Sequence, residues 1–335
     1  MTYSVVIPTV GRPSLADCLR AVADASGPAP ARIVVVDDRP LTECGPLPAG
    51  PPQEPGPVPV PVPVQIVYSC GNGPAAARNA GWRAVSTPWV VFLDDDVVPG
   101  PTWAAELAAD LEAAGPGTAA VQGRISVPLP ADRRPTDAER NTAGLASARW
   151  ITADIAYRRS VLAAVGGFDE RFPRAFREDA DLALRVASAG WELAAGRRAT
   201  VHPVRSSGPL ASVRAQAGNA DDVLMRRVHG PDWFERAEAP RGRFARHALV
   251  TGTGVAALAL AVTGHRRAAT LAAGGWALGT AQFAAARIAP GPRTREEVVT
   301  MLATSALIPP AAVVHHLRGR WKHRHAAPRG TAVAS

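Results

Sequence analysis

The chain has 335 residues, 47% hydrophobic and 20% charged, with a formal net charge of +8; it is long enough for one large domain or two modest ones, and too apolar for disorder along most of its length. The charge is uneven: residues 241–335 hold 13 Lys and Arg against 2 Asp and Glu, and residues 1–240 hold 24 against 27. A slightly acidic main part argues against nucleic acid as a partner, whereas a basic, partly apolar C-terminal part suits an anionic membrane surface.

In chain order, Ser4–Pro8 reads as a short buried strand, and Leu15, Cys18, Leu19 and Val22 follow at the spacing of an amphipathic helix. Arg32–Asp37 is a second apolar strand, ending in the pair Asp37-Asp38. Residues 43–64 are low in complexity, with alternating Pro and Val at 57–64, which predicts an exposed polyproline-like loop insertion. Gln65–Tyr68, a helix from Pro74 to Val85, Trp89–Leu93, a helix from Pro101 to Ala114 and a strand from Ala119 to Val127 continue the alternation; 129–147 is polar and irregular, and 151–157 is a further strand. Strands without a polar face, alternating with helices, predict a mostly parallel sheet covered on both sides. Three apolar stretches follow, 248–264, 268–286 and 298–314, each near the lower limit of about 17–25 residues for a membrane span.

Cys18, Cys44 and Cys70 share no CxxC spacing, which fits a reducing compartment. The start, MTYSVVIPT, has no basic segment and no apolar run of signal-peptide length, so the N-terminus is expected in the cytoplasm.

Chemistry concentrates at two places. Asp94, Asp95 and Asp96 end a buried strand, and three adjacent carboxylates repel one another unless a cation or a hydrogen-bonding ligand holds them. A solvated turn that caps the next helix would explain an acidic strand end equally well. The carboxyl ends of parallel strands are, however, where open α/β sheets take ligands. Two acidic strand ends on one crevice suit a diphosphate held through Mg²⁺ or Mn²⁺. No GxxxxGK[ST] loop is present, and no GxGxxG follows the first strand. The second place is Arg177-Glu178-Asp179, expected at a helix N-terminus, where a carboxylate can serve as a general base or merely as a cap.

The ordered series VVIPTVGR, VVVDDRP, GPAAARNAGW, VFLDDDVVP, GGFDERF and REDADLALRV resembles the family-2 glycosyltransferases of the GT-A fold over about residues 3–205. The resemblance implies an inverting transfer of sugar from a nucleotide-diphosphate donor, with a divalent metal, Mn or Mg, as cofactor. It places Thr9, Asp38, Arg78, Asn79, Asp94 and Asp95 at the nucleotide sugar, and Asp96 at the metal, with Asp94 and His202 beside it. Asp179 matches the catalytic base with Glu178 next to it, and Trp191 resembles an acceptor-side aromatic. Arg39-Pro40 stands where many members have Gly-Ser, and Asp154 where Asn is frequent.

The expected organisation is a GT-A domain over 1–205, a helical linker over 206–245, hydrophobic helices over 246–317 and a basic tail over 318–335. Because the positive-inside rule keeps the basic end in the cytoplasm, 248–264 and 268–286 are read as a membrane hairpin. The third stretch, interrupted by Pro309-Pro310, is read as interfacial. The expected place is thus the cell membrane with the catalytic domain on the cytoplasmic side, the partners a nucleotide-sugar donor and a glycan or lipid-linked acceptor of the cell envelope. A sugar-1-phosphate nucleotidyltransferase and a non-catalytic membrane scaffold are the alternatives. Release of nucleoside diphosphate rather than pyrophosphate excludes the first, and metal-dependent binding of nucleotide sugar argues against the second.

Overall fold

A computed structural model describes residues 1–43, 45, 47 and 62–327. Cys44, most of the Pro-rich insertion and the last residues of the basic tail lie outside the described residues.

The chain opens with β1 (Tyr3–Thr9), α1 (Ser14–Asp24), β2 (Arg32–Asp37), β3 (Val64–Tyr68), α2 (Pro74–Arg83) and β4 (Trp89–Leu93). It continues with β5 (Val98–Pro99), α3 (Trp103–Ala113), β6 (Thr118–Ser126), α4 (Asp137–Ala143), β7 (Asp154–Arg158), α5 (Arg159–Val165), α6 (Glu178–Ser188) and β8 (Glu192–Val201). One eight-stranded sheet results, in the order β3-β2-β1-β4-β7-β6-β8-β5.

The four strands β3-β2-β1-β4 are parallel, as their alternation with helices predicts. The sheet as a whole is mixed, because β7 runs antiparallel to both β4 and β6. The polar excursion after β6 brings the chain back into β7 at the end of the sheet where β6 left it, so that β7 runs against both neighbours. That excursion is not wholly irregular: Thr136 and Glu139 form a reciprocal capping box at the start of α4.

Successive strand residues point to opposite faces, and both faces are covered, which is why the strands carry no polar side. Val5, Ile7, Val91 and Leu93 pack with Leu15 and Val22 of α1 and with Trp103 and Leu107 of α3. Val6, Val34, Val90 and Phe92 pack with Trp82 of α2, Leu162 of α5 and Leu182 and Val186 of α6. Each such side chain contributes about 1.5–3 kcal/mol on burial. Asp154 has a structural task between these layers. Fully buried, it accepts from Arg198 Nε (2.7 Å), Trp103 Nε1 (2.8 Å) and Thr200 Oγ1 (2.6 Å), tying β7 to β8 and α3.

Beyond β8 come α7 (Ala211–Arg214), α8 (Gly218–His229), α9 (Trp233–Arg236), α10 (Phe244–Val262), α11 (Arg266–Ile288) and α12 (Arg295–Lys322). Leu224, Met225 and Val228 of α8 share a third apolar cluster with Ala180 and Leu184 of α6 and with Trp233. Helices α10 and α11 form an antiparallel hairpin in which glycines allow close approach. A Cβ on Gly254 would meet the Trp276 ring at 2.9 Å, and one on Gly279 would meet Val250 Cγ2 at 2.7 Å.

The expectation that Pro309-Pro310 interrupts the third stretch is corrected: α12 runs unbroken through both prolines. Two missing backbone donors weaken the helix locally, but its buried seam of Met301, Thr304, Ser305, Ile308, Pro309, Ala312 and Gly319 holds it on the folded domain. Gly319 sits against the Ala220 backbone of α8. At the open end of the hairpin, His316 stacks on Phe244 at 3.9 Å, and Thr304 and Ser305 accept from Arg287. Among the described residues, the helices long and apolar enough to cross a membrane are α10 and α12, and a third of the apolar window of α12 is buried in the protein. The 268–286 stretch does not reach that standard, because Ala, Gly and Thr dominate it.

Candidate active site

The carboxyl ends of β1, β2 and β4 open onto a crevice of about 380 Å³ whose walls include Thr9, Arg12, Asp38, Arg78, the Asp94–Asp96 triplet, His202 and Arg205. The parallel order of β2-β1-β4 brings these strand ends together, as expected for an open α/β sheet.

Each carboxylate of the triplet meets its own arginine. Asp94 Oδ1 accepts from Arg78 Nη2 at 2.9 Å, and Asp95 Oδ1 accepts from Arg12 Nη1 at 2.7 Å. The Asp95 side chain is also fixed through Oδ2 by the Thr9 hydroxyl at 2.6 Å. Asp96, 5% exposed, has Arg205 Nη2 2.6 Å from Oδ2, close enough for an ion pair but out of line for a hydrogen bond, so that Oδ2 has no hydrogen-bond donor. Burial and the neighbouring Asp94 push the Asp96 carboxyl above its ordinary range, against the pull of His202 and Arg205.

His202 stands just beyond β8 with Nε2 3.7 Å from Asp96 Oδ1. Its Nδ1 lies 3.1 Å from Pro203 O, and since a carbonyl only accepts, Nδ1 donates there and Nε2 is the ring nitrogen turned toward Asp96. Asp96 and His202 thus offer two hard-to-borderline donors to one point. Among the described residues no set of three His, Cys, Asp or Glu gathers around a common centre.

Arg78, almost wholly buried, joins the two chemical regions. It donates through Nη1 to Glu178 Oε1 at 2.7 Å as well as to Asp94. Burial disfavours its charge, but Asp94, Glu178 and Asp179 more than compensate and keep it cationic. Glu178 and Asp179 begin α6, where the helix dipole favours negative charge. Asp179 Oδ1 accepts from the Ala180 amide at 2.7 Å, and Glu178 Oε2 is buried without a donor. Burial and the adjacent Asp179 push the Glu178 carboxyl up to about 8 in spite of Arg78. The Asp179 carboxyl is also raised, chiefly by burial, against the Ala180 amide, Arg78 and Arg177.

The residue before this pair, Arg177, holds a left-handed backbone (φ 77°) that side chains rarely adopt. Its guanidinium lies over the rings of Phe176 (4.3 Å) and Trp233 (4.7 Å) and donates through Nε to Asp222 of α8 at 2.8 Å. Helix α8 therefore buttresses the start of α6.

On the other wall, Asp38 is oriented by the Ser69 hydroxyl on Oδ1 (2.7 Å) and the Gly73 amide on Oδ2 (3.0 Å). Its neighbour Asp37 is buried, which opposes its charge, but the Arg39 guanidinium grips both its oxygens and holds it below the ordinary carboxylate range. This explains why Arg39 stands after the acidic pair.

Four of the expected site residues do not line the crevice: Glu178 and Asp179 are joined to it through Arg78, and Asn79 and Trp191 are taken up elsewhere in the protein. The Asn79 side chain is used up inside the protein: Oδ1 accepts from the Phe168 amide and Trp82 Nε1, and Nδ2 donates to Phe168 O and Glu170 Oε1. Trp191 follows the far end of α6 from Asp179 and packs against the second core layer. Conversely, Arg12 and Arg205 face the triplet although no role was read for them; Arg12 belongs to the first strand-loop motif, and Arg205 lies in a segment without one.

Residues 4–165 match the family model described as glycosyl transferase family 2. This part of the chain is a family 2 glycosyltransferase domain. The chain is 35% identical over 135 residues to pre-mycofactocin glycosyltransferases from two strains of Mycobacterium tuberculosis, an alignment that covers 36% of this chain and spans only 28% of theirs. Among solved structures it is similar to a mannosyltransferase from Pyrobaculum calidifontis in complex with GDP-Man and Mn²⁺, with a TM-score of 0.53 at 18% identity over 96% of this chain and 87% of that one. That likeness shows the GT-A fold, a mixed sheet flanked by helices. The family 2 match contains Thr9, Asp38, Arg78 and the triplet, and ends before Glu178, Asp179 and His202.

Proposed function

We propose that the chain transfers a sugar from a nucleoside-diphosphate donor to an acceptor hydroxyl, with inversion at the anomeric carbon, using a divalent metal, at the cytoplasmic face of a membrane. The observation that carries this reading is the Asp94–Asp96 triplet at the end of β4, joined through Arg78 to the Glu178–Asp179 pair that starts α6.

Asp38 would accept from the nucleotide base, its two oxygens already aimed by Ser69 and Gly73. Thr9 and Arg12 hold Asp95, which leaves Asp94 and Arg78 along the donor side of the crevice. Asp179 takes the proton of the acceptor hydroxyl, whose oxygen then forms a bond to the anomeric carbon as the bond to the diphosphate breaks and its electron pair leaves with the nucleoside diphosphate. Asp96 and His202 fit a metal site, since Asp96 Oδ2 is buried without a hydrogen-bond donor and His202 Nε2 lies 3.7 Å from the other oxygen of the same carboxylate, Oδ1. Such metals are commonly held by one or two protein groups plus substrate phosphates. Bound there, the metal supplies charge to the departing diphosphate.

The Mn²⁺ and GDP-Man of the similar archaeal structure support metal and donor class without choosing the sugar. We assign residues 1–205 to the catalytic unit, 206–245 to a linker whose α8 braces it, 246–317 to membrane-facing helices and 318–335 to a basic tail. A glycan or lipid-linked acceptor in envelope synthesis fits that arrangement.

The test is diphosphate release over a panel of nucleotide sugars. Asp96→Ala is expected to abolish transfer and metal-dependent nucleotide binding while the fold remains, since Asp96 lies outside the apolar clusters that hold the sheet. Undiminished activity of that variant, or of the parent protein in excess EDTA, would overturn the metal-dependent reading.

A further inference from the structure

The three carboxylates of the triplet are balanced in three different ways. Arg78, which serves Asp94, is 2% exposed and locked between two acids, so it cannot leave. Arg12 meets an Asp95 that the Thr9 hydroxyl also holds. Arg205 differs from both. It is 49% exposed, it belongs to the irregular 203–208 segment that follows β8, and among the described residues Asp96 is its one ion-pair partner. It meets Asp96 at Oδ2, the buried oxygen that lacks a hydrogen-bond donor and that the metal reading assigns as a ligand.

An aspartate 95% removed from solvent, with Asp94 and Asp95 beside it, is costly to keep ionised without a counter-charge. A guanidinium 2.6 Å from Oδ2 supplies it. The same contact blocks the approach of a cation, because two positive groups cannot share one carboxylate oxygen at contact distance without strong repulsion. Being half exposed on an irregular segment, Arg205 can rotate away at little packing cost.

We propose that Arg205 is a place-holder counter-ion: it neutralises Asp96 while the donor site is empty and is displaced from Oδ2 by the divalent metal. This rests on the metal reading above. It gives Arg205 a definite consequence for this chain, which is that metal alone binds more weakly than Asp96 and His202 would allow, and that the site stays charge-balanced between turnovers.

The experiment uses the full chain in detergent, free of nucleotide, titrated with MnCl₂ while unbound Mn²⁺ is read by electron paramagnetic resonance. Arg205→Gln is expected to bind Mn²⁺ roughly ten-fold more tightly than the parent, within the usual range for two coupled sites. In EDTA the variant should melt at a lower temperature than the parent, and Mn²⁺ should remove that difference. Equal or weaker Mn²⁺ binding by Arg205→Gln, where the parent does bind, overturns the place-holder and leaves the metal reading standing. Absence of Mn²⁺ binding by both proteins, with or without UDP, overturns the metal reading and the place-holder together.

Discussion

Asp179 accepts a hydrogen bond from the amide of the residue that follows it and lies beside a second carboxylate, an environment in which a base is kept but not strongly stabilised as an anion. Asp179→Asn keeps the shape and removes the basicity. The expected outcome is a fall in kcat of roughly 10²–10⁴-fold with donor affinity little changed, read by steady-state kinetics beside nucleotide-sugar titration. Collapse of donor binding with normal residual turnover would instead make Asp179 a helix cap. The pH dependence follows from the same surroundings. Both carboxyls are raised, Glu178 up to about 8, and they titrate as a pair. Because the base acts when deprotonated and burial raises the Asp179 carboxyl, kcat/KM should still climb with pH above the ordinary carboxylate range; a profile already flat at pH 5 contradicts this. Stability runs the other way. Glu178 holds its proton in the folded state to a higher pH than in the unfolded chain, so the folded state binds more protons between about 4.5 and 8 and loses stability as pH rises through that window. Glu178→Gln should therefore show a smaller drop in Tm between pH 6 and pH 8 than the parent protein. At this scale the acidic residues were legible because strand ends and a helix start can be read from local pattern. Asn79 and Trp191 were less so. Whether a polar side chain near the crevice faces a ligand or the opposite loop depends on Phe168 and Glu170, some ninety residues away.

The first half of the sheet follows directly from alternating apolar strands and helices, and its close packing leaves a sharp mark at Gly81. A Cβ there would lie 2.2 Å from Val6 Cγ1 and 3.0 Å from Val36 Cγ2, so α2 rests directly on β1 and β2. Gly81→Ala is expected to destabilise the protein by about 1–3 kcal/mol through overpacking, outweighing the gain in helix propensity, and to shift Arg78 one turn earlier on the same helix. Denaturant unfolding measures the first effect and nucleotide-sugar affinity the second; an unchanged midpoint would mean that β1 yields more easily than its buried position implies. The elements that local pattern did not reveal share a physical reason. Strand β7 takes its antiparallel direction from a long excursion, and α12 continues through Pro309-Pro310 because contacts with α8 and Arg287 outweigh two lost backbone hydrogen bonds. Both depend on partners far away in sequence.

For the molecule as a whole, the open question is what surrounds the α10–α11 hairpin. Leu258, Val262, Leu271 and Leu278 are each more than 70% exposed, an apolar surface that a soluble protein rarely leaves uncovered. The hairpin tip carries His265, Arg266 and Arg267, and its base is flanked by Arg241, Arg243 and Arg246. The distance between these two basic ends is set by a 19-residue helix, about 28 Å at 1.5 Å per residue, close to the hydrocarbon thickness of a bilayer. The tip arginines would then have to reach the far interface, which is the main cost of the hairpin model. Removing everything after Arg241 is a poor test, because α12 also covers α8 and its loss would uncover Ala220 and the face of α8 on which the seam packs. A sharper one places charge where the protein itself makes little contact. In a helical subdomain surrounded by water, Leu258→Glu with Leu278→Glu is nearly neutral, since surface changes usually stay within about 0.5 kcal/mol. At the centre of a bilayer a carboxylate costs about 2.5–3.5 kcal/mol; position 278, near the middle of α11, carries that cost, and position 258, one turn from the tip end of α10, carries part of it. The parent chain should remain with membranes through high salt and alkaline carbonate, and the doubly charged variant should be released while keeping its Tm in detergent. A parent chain soluble without detergent removes the spanning hairpin, and release by salt alone reduces the contact to basic side chains on anionic headgroups.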